Sequence, residues 1–258
     1  MNGVVELQIW QFALVYLLLV IVAAIMRKCH IDQTRLLIAA SMKMTVQLTL
    51  AGLILTYIFK NPSPLFTIAY LAAMTVFTIH RVLSRNKGLN KRFQLVVAAA
   101  VSLSGIAVLI FFIYAVVGES IFNPQYAIPI SGMLMGNTMT GVSLGIKTLR
   151  ESLNGQRTRI HALLCAGAAP KKILLPFVTQ ALETAMLPTL NSMVGMGIVS
   201  LPGMMTGQIL AGTLPTTAIL YQIAIMIAIC TAVTCSSFVA LYFGYKTLFD
   251  KNTQIICQ

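Results

Sequence analysis

The residues of this chain that could do chemistry are a few polar side chains set within long apolar stretches. Asn137 is an amide among small residues, and Glu183 is the only carboxylate inside an apolar segment. Polar groups at membrane depth are costly, and they mark substrate pathways or face the interior of a helix bundle. Gln47, Asn137, Glu183 and Asn191 are therefore the candidate pathway residues, with Asn137 favoured because it lies deepest among small residues.

The same residue types are too sparse for several kinds of catalysis. The sequence has no GxxxxGK[ST] loop, so the chain is not expected to bind ATP or any other cofactor by itself. Its three histidines (His30, His80 and His161) lie on the predicted cytoplasmic side and do not cluster as metal ligands. Neither a nucleophile–base pair nor a ligand set supports an intramembrane enzyme, and the residues that would bind a metal stay unknown.

The cysteines do not indicate a disulfide framework or a zinc site. They are odd in number and lack CxxC spacing, so we interpret them as free thiols. The five are Cys29, Cys165, Cys230, Cys235 and Cys257.

Long apolar segments must position the candidate residues. Of the 258 residues 58% are hydrophobic and only 9% are charged, whereas a soluble domain carries about a quarter charged residues. We therefore predict an all-α integral membrane protein with a single transmembrane domain over residues 1–258. The apolar segments cover residues 9–26, 36–59, 65–79, 95–117, 128–146, 177–200 with an interruption at Pro188, and 218–245.

Positive charge alternates between the gaps that separate these segments. Sixteen of the 18 Lys and Arg residues lie in the gaps after the first, third and fifth segments and in the C-terminal tail. Basic loops stay on the cytoplasmic side. About seven transmembrane helices, with the N-terminus outside and the C-terminus cytoplasmic, satisfy the whole pattern. Anionic lipid headgroups explain the net charge of +12 better than nucleic acid does.

Lys43 is the one basic residue inside an apolar segment. It shares a helix face with Arg35 and Gln47, at spacings of eight and four residues. Two interpretations stay open. Lys43 snorkels to the cytoplasmic surface from a tilted helix, or it takes part in the helix bundle or the pathway.

The fifth segment carries two pairs of glycines, each four residues apart. Gly132 pairs with Gly136, and Gly141 pairs with Gly145. Small residues at this spacing let helix backbones approach closely in lipid. We interpret the pairs as packing positions, and Gly132 and Gly136 as structural or gating residues.

Residues 201–215 form an uncharged stretch rich in Gly and Pro, including Pro202, Gly203 and Gly207. The stretch is too short and broken to span a membrane, yet too apolar for an ordinary solvated loop. Non-helical backbone at membrane depth survives only where protein or water satisfies its polar groups. A re-entrant element before the last helix and a loop lying in the outer interface are both consistent with this composition.

The most basic gap contains a short helix of small residues that is predicted to end at Gly167. Such a helix can enter a cleft in a soluble partner while its flanking Arg and Lys residues meet an acidic rim. An amphipathic helix on the membrane surface is the alternative. The residues expected to make the contact, within a cytoplasmic coupling region at about 147–175, are Arg157, Arg159, His161, Ala162, Gly167 and Ala168.

Three motifs give the chain a resemblance to the FetB-type permease family of bacterial iron-export permeases and plant aluminium-tolerance permeases. They are residues 128–133 (IPISGM) with Gly136-Asn137, residues 201–207 (LPGMMTG), and the pair Tyr221-Gln222. Residues 157–172 are similar to the coupling loop of ABC permeases, in which a Glu-Ala-Ala motif is followed by Gly. Ala162 and Gly167 match that loop, whereas His161 replaces the acid and Leu163 replaces the second Ala.

The resemblance implies a permease subunit of an ATP-driven exporter in a bacterial cytoplasmic (inner) membrane, with iron export as its task. It implies a permease homodimer in lipid, joined by two copies of a separate ABC ATP-binding subunit that would hold ATP and Mg²⁺, with no nucleic acid. Two alternatives stay open: a secondary transporter that works without an ATPase, and an ABC permease for a non-metal cargo such as a nucleotide sugar.

Overall fold

The computed structural model describes residues 8–248, which are almost entirely helical, with no strand among them. This confirms the all-α prediction; Cys257 and both chain termini lie outside the described residues. In chain order the helices are α1 (Ile9–Lys28), α2 (Thr34–Lys60), α3 (Pro64–Arg85), α4 (Lys91–Phe111), α5 (Pro124–Gly155), α6 (Arg157–Cys165), α7 (Pro170–Gly195), α8 (Gly203–Leu210) and α9 (Pro215–Gly244). A π-helical turn, Phe112–Val117, extends α4, and a 3₁₀ turn, Tyr245–Leu248, follows α9.

Six helices within the described residues are long and apolar enough to cross a membrane, namely α1, α2, α3, α4, α7 and α9. The 32-residue α5 is the exception because Gly, Ser, Thr and Asn lower its hydropathy. This helix packs against α3, α4, α7 and α9, so protein rather than lipid covers much of its surface and small polar residues are tolerated there. The seven-span topology stays a prediction.

The predicted bounds of two helices are wrong. Helix α7 begins at Pro170, ends at Gly195 and runs through Pro176 and Pro188 without the expected interruption. Transmembrane helices tolerate proline where neighbouring helices compensate the backbone, and α7 packs against both α5 and α9. Helix α5 continues to Gly155, so the polar stretch after residue 146 comprises the end of α5, then α6 and the start of α7.

The stretch at 201–215 forms a short helix where composition had indicated broken structure. Helix α8 is about 12 Å long, which is far short of the ~30 Å hydrocarbon core of a bilayer. Met205 is buried, and α8 packs against α9. The chain therefore enters and leaves α8 on the same side of the bundle, the side at which α7 ends and α9 begins.

Helices α1 and α2 form a hairpin at the edge of the bundle. We call the helix ends beside the basic gaps inner and the opposite ends outer. The only buried residue of α2 is Ile58, near its outer end, where Tyr57 packs edge-on against Phe66 of α3 at 5.9 Å between ring centroids. The hairpin is therefore attached to the bundle mainly at its outer end.

One of the two glycine pairs brings α5 against its neighbours, as predicted. A Cβ at Gly141 would lie 2.6 Å from Val233 Cγ1 and 3.0 Å from the Ala185 carbonyl oxygen. A Cβ at Gly145 would lie 3.0 Å from Leu241 Cδ1. Side chains at these two positions would push α7 and α9 away from α5. Gly132 has only a Met74 methyl group within 4 Å, and Gly136 has nothing, so close packing inside the chain does not account for the first pair.

Candidate functional site

Helices α5 and α7 carry a polar surface that the other described residues leave uncovered. It is formed by the exposed side chains of Asn137 and Thr140 on α5 and of Gln180, Glu183 and Asn191 on α7. We call this surface the α5–α7 face. The two helices run antiparallel and pack through the glycines of α5. Asn137 lies one turn from Gly141, beside this seam, whereas Glu183 lies about 160–200° around α7 from Ala181 and Ala185, on the side that faces away from α5.

Contacts across the seam set the relative depths of these residues. Gly141 meets Ala185 and Gly145 meets Ala181. Since each helix rises about 1.5 Å per residue, Asn137 lies at about the level of residue 189 of α7, within about 3 Å of the level of Asn191. Glu183 lies closer to the inner ends of the two helices, near the level of residue 143 of α5. The polar residues are therefore spread along the length of the two helices.

The side chain of Asn137 is exposed on this face. Amides at membrane depth are commonly enclosed in the interior of a helix bundle, and Asn137 is not. Its Nδ2 donates to the Met133 carbonyl one turn earlier, at 2.8 Å. Its Oδ1 accepts no hydrogen bond from residues 8–248. A side chain satisfied only within its own helix can turn toward a passing ligand without disturbing a neighbouring helix.

Three of the four candidate pathway residues lie on α5 and α7, and the fourth lies on α2. Asn137 is on α5, Glu183 and Asn191 are on α7, and Gln47 is on α2. Gln47 and Lys43 are both exposed there. Lys43 and Glu183 make no ion pair or hydrogen bond to any described residue, although both lie within apolar helices.

A second polar feature opens at the inner end, between α3 and α5. This cavity of about 750 Å³ is lined by Arg85, Asn86, Ser143, Lys147 and Arg150, among others. Lys147 pairs with Glu151 one turn later at 3.8 Å. The sequence interpretation missed this cavity because it ended the fifth segment at residue 146. Ile146, Leu149 and Leu153 are apolar residues at helical spacing, and all three are buried. This spacing was the signal in the sequence that the helix continues.

The short helix α6 links α5 to α7 where a coupling helix was predicted. Ile160 is buried, and Leu164 packs on the inner core of the bundle. Arg157, Arg159, His161 and Ala162 are exposed. One side of α6 is thus anchored to the bundle and the other is exposed.

Gly167 ends this helix in the left-handed region, with φ of +80°. Its amide donates to the Leu164 carbonyl at 3.0 Å, and the amide of Ala168 donates to the Leu163 carbonyl at 3.0 Å. This is the usual closing geometry for a helix, and glycine adopts it without steric cost. The glycine therefore sets the angle at which the chain turns into α7.

The described residues contain no group of three or more His, Cys, Asp or Glu side chains that could hold a metal ion. Their four cysteines, Cys29, Cys165, Cys230 and Cys235, are free thiols. The polar groups available on the α5–α7 face are therefore amides, a hydroxyl and one carboxylate.

Known proteins place this architecture in a family. Residues 9–249 match the family described as "Uncharacterised protein family (UPF0014)". The "UPF0014 membrane protein YjkA" of Bacillus subtilis is 31% identical, over 85% of this chain and 86% of its own. The "Probable iron export permease protein FetB" of Escherichia coli is 29% identical, over 82% of this chain and 80% of its own. The "Protein ALUMINUM SENSITIVE 3" of Arabidopsis thaliana is 33% identical, over 81% and 76%.

No solved structure matches the chain. The match to the family covers nearly all described residues, including both helices of the α5–α7 face and the α6 linker. The chain belongs to the UPF0014 family of membrane proteins.

Proposed function

We propose that the chain is the membrane-spanning subunit of an ATP-driven exporter in a bacterial cytoplasmic membrane, with iron or another metal as its cargo. The chain would form a homodimer and bind two copies of an ABC ATP-binding subunit, which supply ATP and Mg²⁺. The name of the Escherichia coli relative supports iron export. That of the Arabidopsis relative supports a link to metal tolerance.

The observation that carries this proposal is the position of α6. It is a nine-residue helix with a buried anchor, Ile160, and an exposed basic side. It joins the two helices that present the polar face. A partner that moves α6 would therefore move α5 and α7 directly, and the small side chain of Ala162 lets a partner's cleft close around the helix.

The α5–α7 face is the proposed pathway surface. When the ATP-binding subunits close on ATP, displacement of α6 would tilt α5 and α7 and switch the face between inward and outward access. Asn137 and Asn191 would contact cargo in the outer half, and Glu183 would lie nearer the inner entrance. A metal would cross as cargo held briefly by these groups, since tight binding would prevent release.

Reconstitution tests the function. The chain should be co-expressed with the ABC ATP-binding subunits of the same genome, and the purified complex should be placed in lipid vesicles. We expect a two-plus-two complex whose ATP hydrolysis rises on addition of Fe²⁺ more than on addition of other metals or nucleotide sugars. Gradient-driven transport by vesicles that contain the chain alone would instead favour a secondary transporter.

The substitution Ala162→Trp sharpens this test. A bulky ring on the exposed side of α6 should block the partner's cleft and lower stimulated ATP hydrolysis about tenfold or more, because interface contacts of this kind contribute several kcal/mol. Gln33→Trp, in the exposed turn between α1 and α2, is the matched control and should leave ATP hydrolysis unchanged. Equal effects of the two substitutions would argue against α6 as the docking site.

A further inference from the structure

We infer that α2 of one copy packs against the α5–α7 face of a second copy, with Lys43 of the first paired to Glu183 of the second. The inference rests on the homodimer of the proposed function and assigns its interface. It makes each copy complete the pathway of the other.

Lys43 and Glu183 are opposite charges with no partner among residues 8–248. Each is exposed, and neither has an ion pair or hydrogen bond with a described residue. Each is the one residue of its sign well inside an apolar helix. A charge that faces hydrocarbon is expensive, and such residues pair or line water-filled cavities. A lysine near the inner surface can snorkel, whereas the shorter side chain of glutamate has less reach.

The polar residues of α2 and α7 also match in depth. Both helices begin after a basic gap, so both run from the inner to the outer side. At about 1.5 Å per residue, Lys43 lies about 10 Å past residue 36, where the apolar part of α2 begins. Glu183 lies about 9 Å past residue 177, where the apolar part of α7 begins. A symmetry axis along the membrane normal preserves depth, so α2 of one copy can meet α7 of the other without a vertical shift.

Lys43 and Gln47 lie on the side of α2 that is free to make this contact. Thr45 faces α1, where its Oγ1 lies 2.5 Å from the Tyr16 hydroxyl oxygen. Successive helical residues turn by about 100°, so Lys43 and Gln47 lie about 200° away from Thr45, on the opposite side of the helix. None of the residues of α2 that precede Ile58 is buried. The inner half of the hairpin is therefore an unattached arm with a polar stripe, and its chemistry complements the α5–α7 face.

Cysteine cross-linking tests the pairing. Two differently tagged chains would be co-expressed, one carrying Lys43→Cys and the other Glu183→Cys, each with its five native cysteines replaced by alanine. Membranes would then be treated with a mild oxidant or a short bifunctional thiol reagent. We expect a covalent dimer that carries both tags. Met44→Cys replaces Lys43→Cys in the matched control and should give no cross-link, because Met44 lines the cavity between α1 and α2.

The outcomes separate this inference from the proposed function. A dimer that forms without the cross-link would overturn the inference and leave the exporter assignment intact. A cross-link that forms only inside a single chain carrying both cysteines would place the pair within one copy and overturn the inference as well. Purified complexes that contain a single copy of the chain would contradict the homodimer and, with it, the inference.

A charge exchange supplies an independent readout. Lys43→Glu alone and Glu183→Lys alone should each weaken dimer formation about tenfold or more, because each opposes like charges in an interface. The double exchange should restore dimerisation to within about threefold of the native chain. Failure of the double exchange to improve on either single change, with all variants correctly folded, would contradict direct pairing.

Discussion

Gly141 is the residue at which α5, α7 and α9 approach most closely. Its missing side chain leaves room for Val233 and for the Ala185 backbone. Gly141→Val should destabilise the fold by about 1–3 kcal/mol, because overpacking forces helices apart. Thermal unfolding in detergent measures this effect. Gly136→Val, where nothing lies within 4 Å, is the control, and an equal loss at both positions would contradict the packing role.

Asn137 illustrates the second kind of residue, one that contributes little to folding. Because it is exposed and hydrogen-bonded only to its own helix, Asn137→Ala should leave the unfolding temperature unchanged. If Asn137 contacts cargo, the same substitution should reduce metal-stimulated ATP hydrolysis several-fold in the assembled complex. Asn154→Ala, on the same helix but beyond its apolar part, should retain the native rate. An unchanged rate in Asn137→Ala would remove this residue from the pathway.

Sequence reasoning at the residue scale found which side chains are unusual but not which way they face. Asn137 and Glu183 were identifiable because polar groups are rare in apolar segments. Their exposure depends on where α3 and α7 pack around α5, and a one-dimensional pattern does not encode that arrangement. The unpaired state of Lys43 likewise depends on the divergence of α2 from the bundle.

At the scale of elements, α6 depends on one anchor. Ile160 is 3% exposed, whereas Leu163 in the same helix is 37% exposed. Ile160→Ala should detach α6 from the bundle, since removal of a buried isoleucine side chain typically costs about 2–5 kcal/mol. Hydrogen exchange of residues 157–166 should accelerate in this variant while exchange in α5 and α7 stays slow.

Leu163→Ala is the matched control for this anchor and should change exchange in α6 much less. The coupling proposal adds a second expectation, that Ile160→Ala lowers partner-dependent ATP hydrolysis. Faster exchange throughout the bundle would show instead that Ile160 supports the whole fold.

Element boundaries were predicted correctly where a helix ends together with its apolar stretch, and wrongly where the helix extends past that stretch. Hydropathy located α1, α2, α4 and α9 to within a few residues. It missed the last two turns of α5 and the first two turns of α7 because these project beyond the membrane and carry charged residues on one side. It missed α8 because Gly and Pro concealed a helix that packing against α9 stabilises.

At the scale of the whole molecule, the direction in which α5 runs decides the topology. This helix is about 48 Å long, which exceeds the ~30 Å hydrocarbon core of a bilayer, but it is not apolar enough to be recognised as a span by hydropathy. If α5 does not cross, the basic residues of α6 and of the start of α7 come to lie on the same side as the turn between α4 and α5. That arrangement places Arg157, Arg159, Lys171 and Lys172 outside, against the charge rule.

Labelling from one side of the membrane distinguishes these topologies. Ser120→Cys places a thiol in the turn before α5, and native Cys165 is exposed at the end of α6; each would be tested as the single cysteine of the chain. An impermeant maleimide added to spheroplasts should label residue 120 at once and Cys165 only after permeabilisation, because α5 separates them. Labelling of both from the outside would show that α5 does not cross and that α6 cannot meet a cytoplasmic ATP-binding subunit.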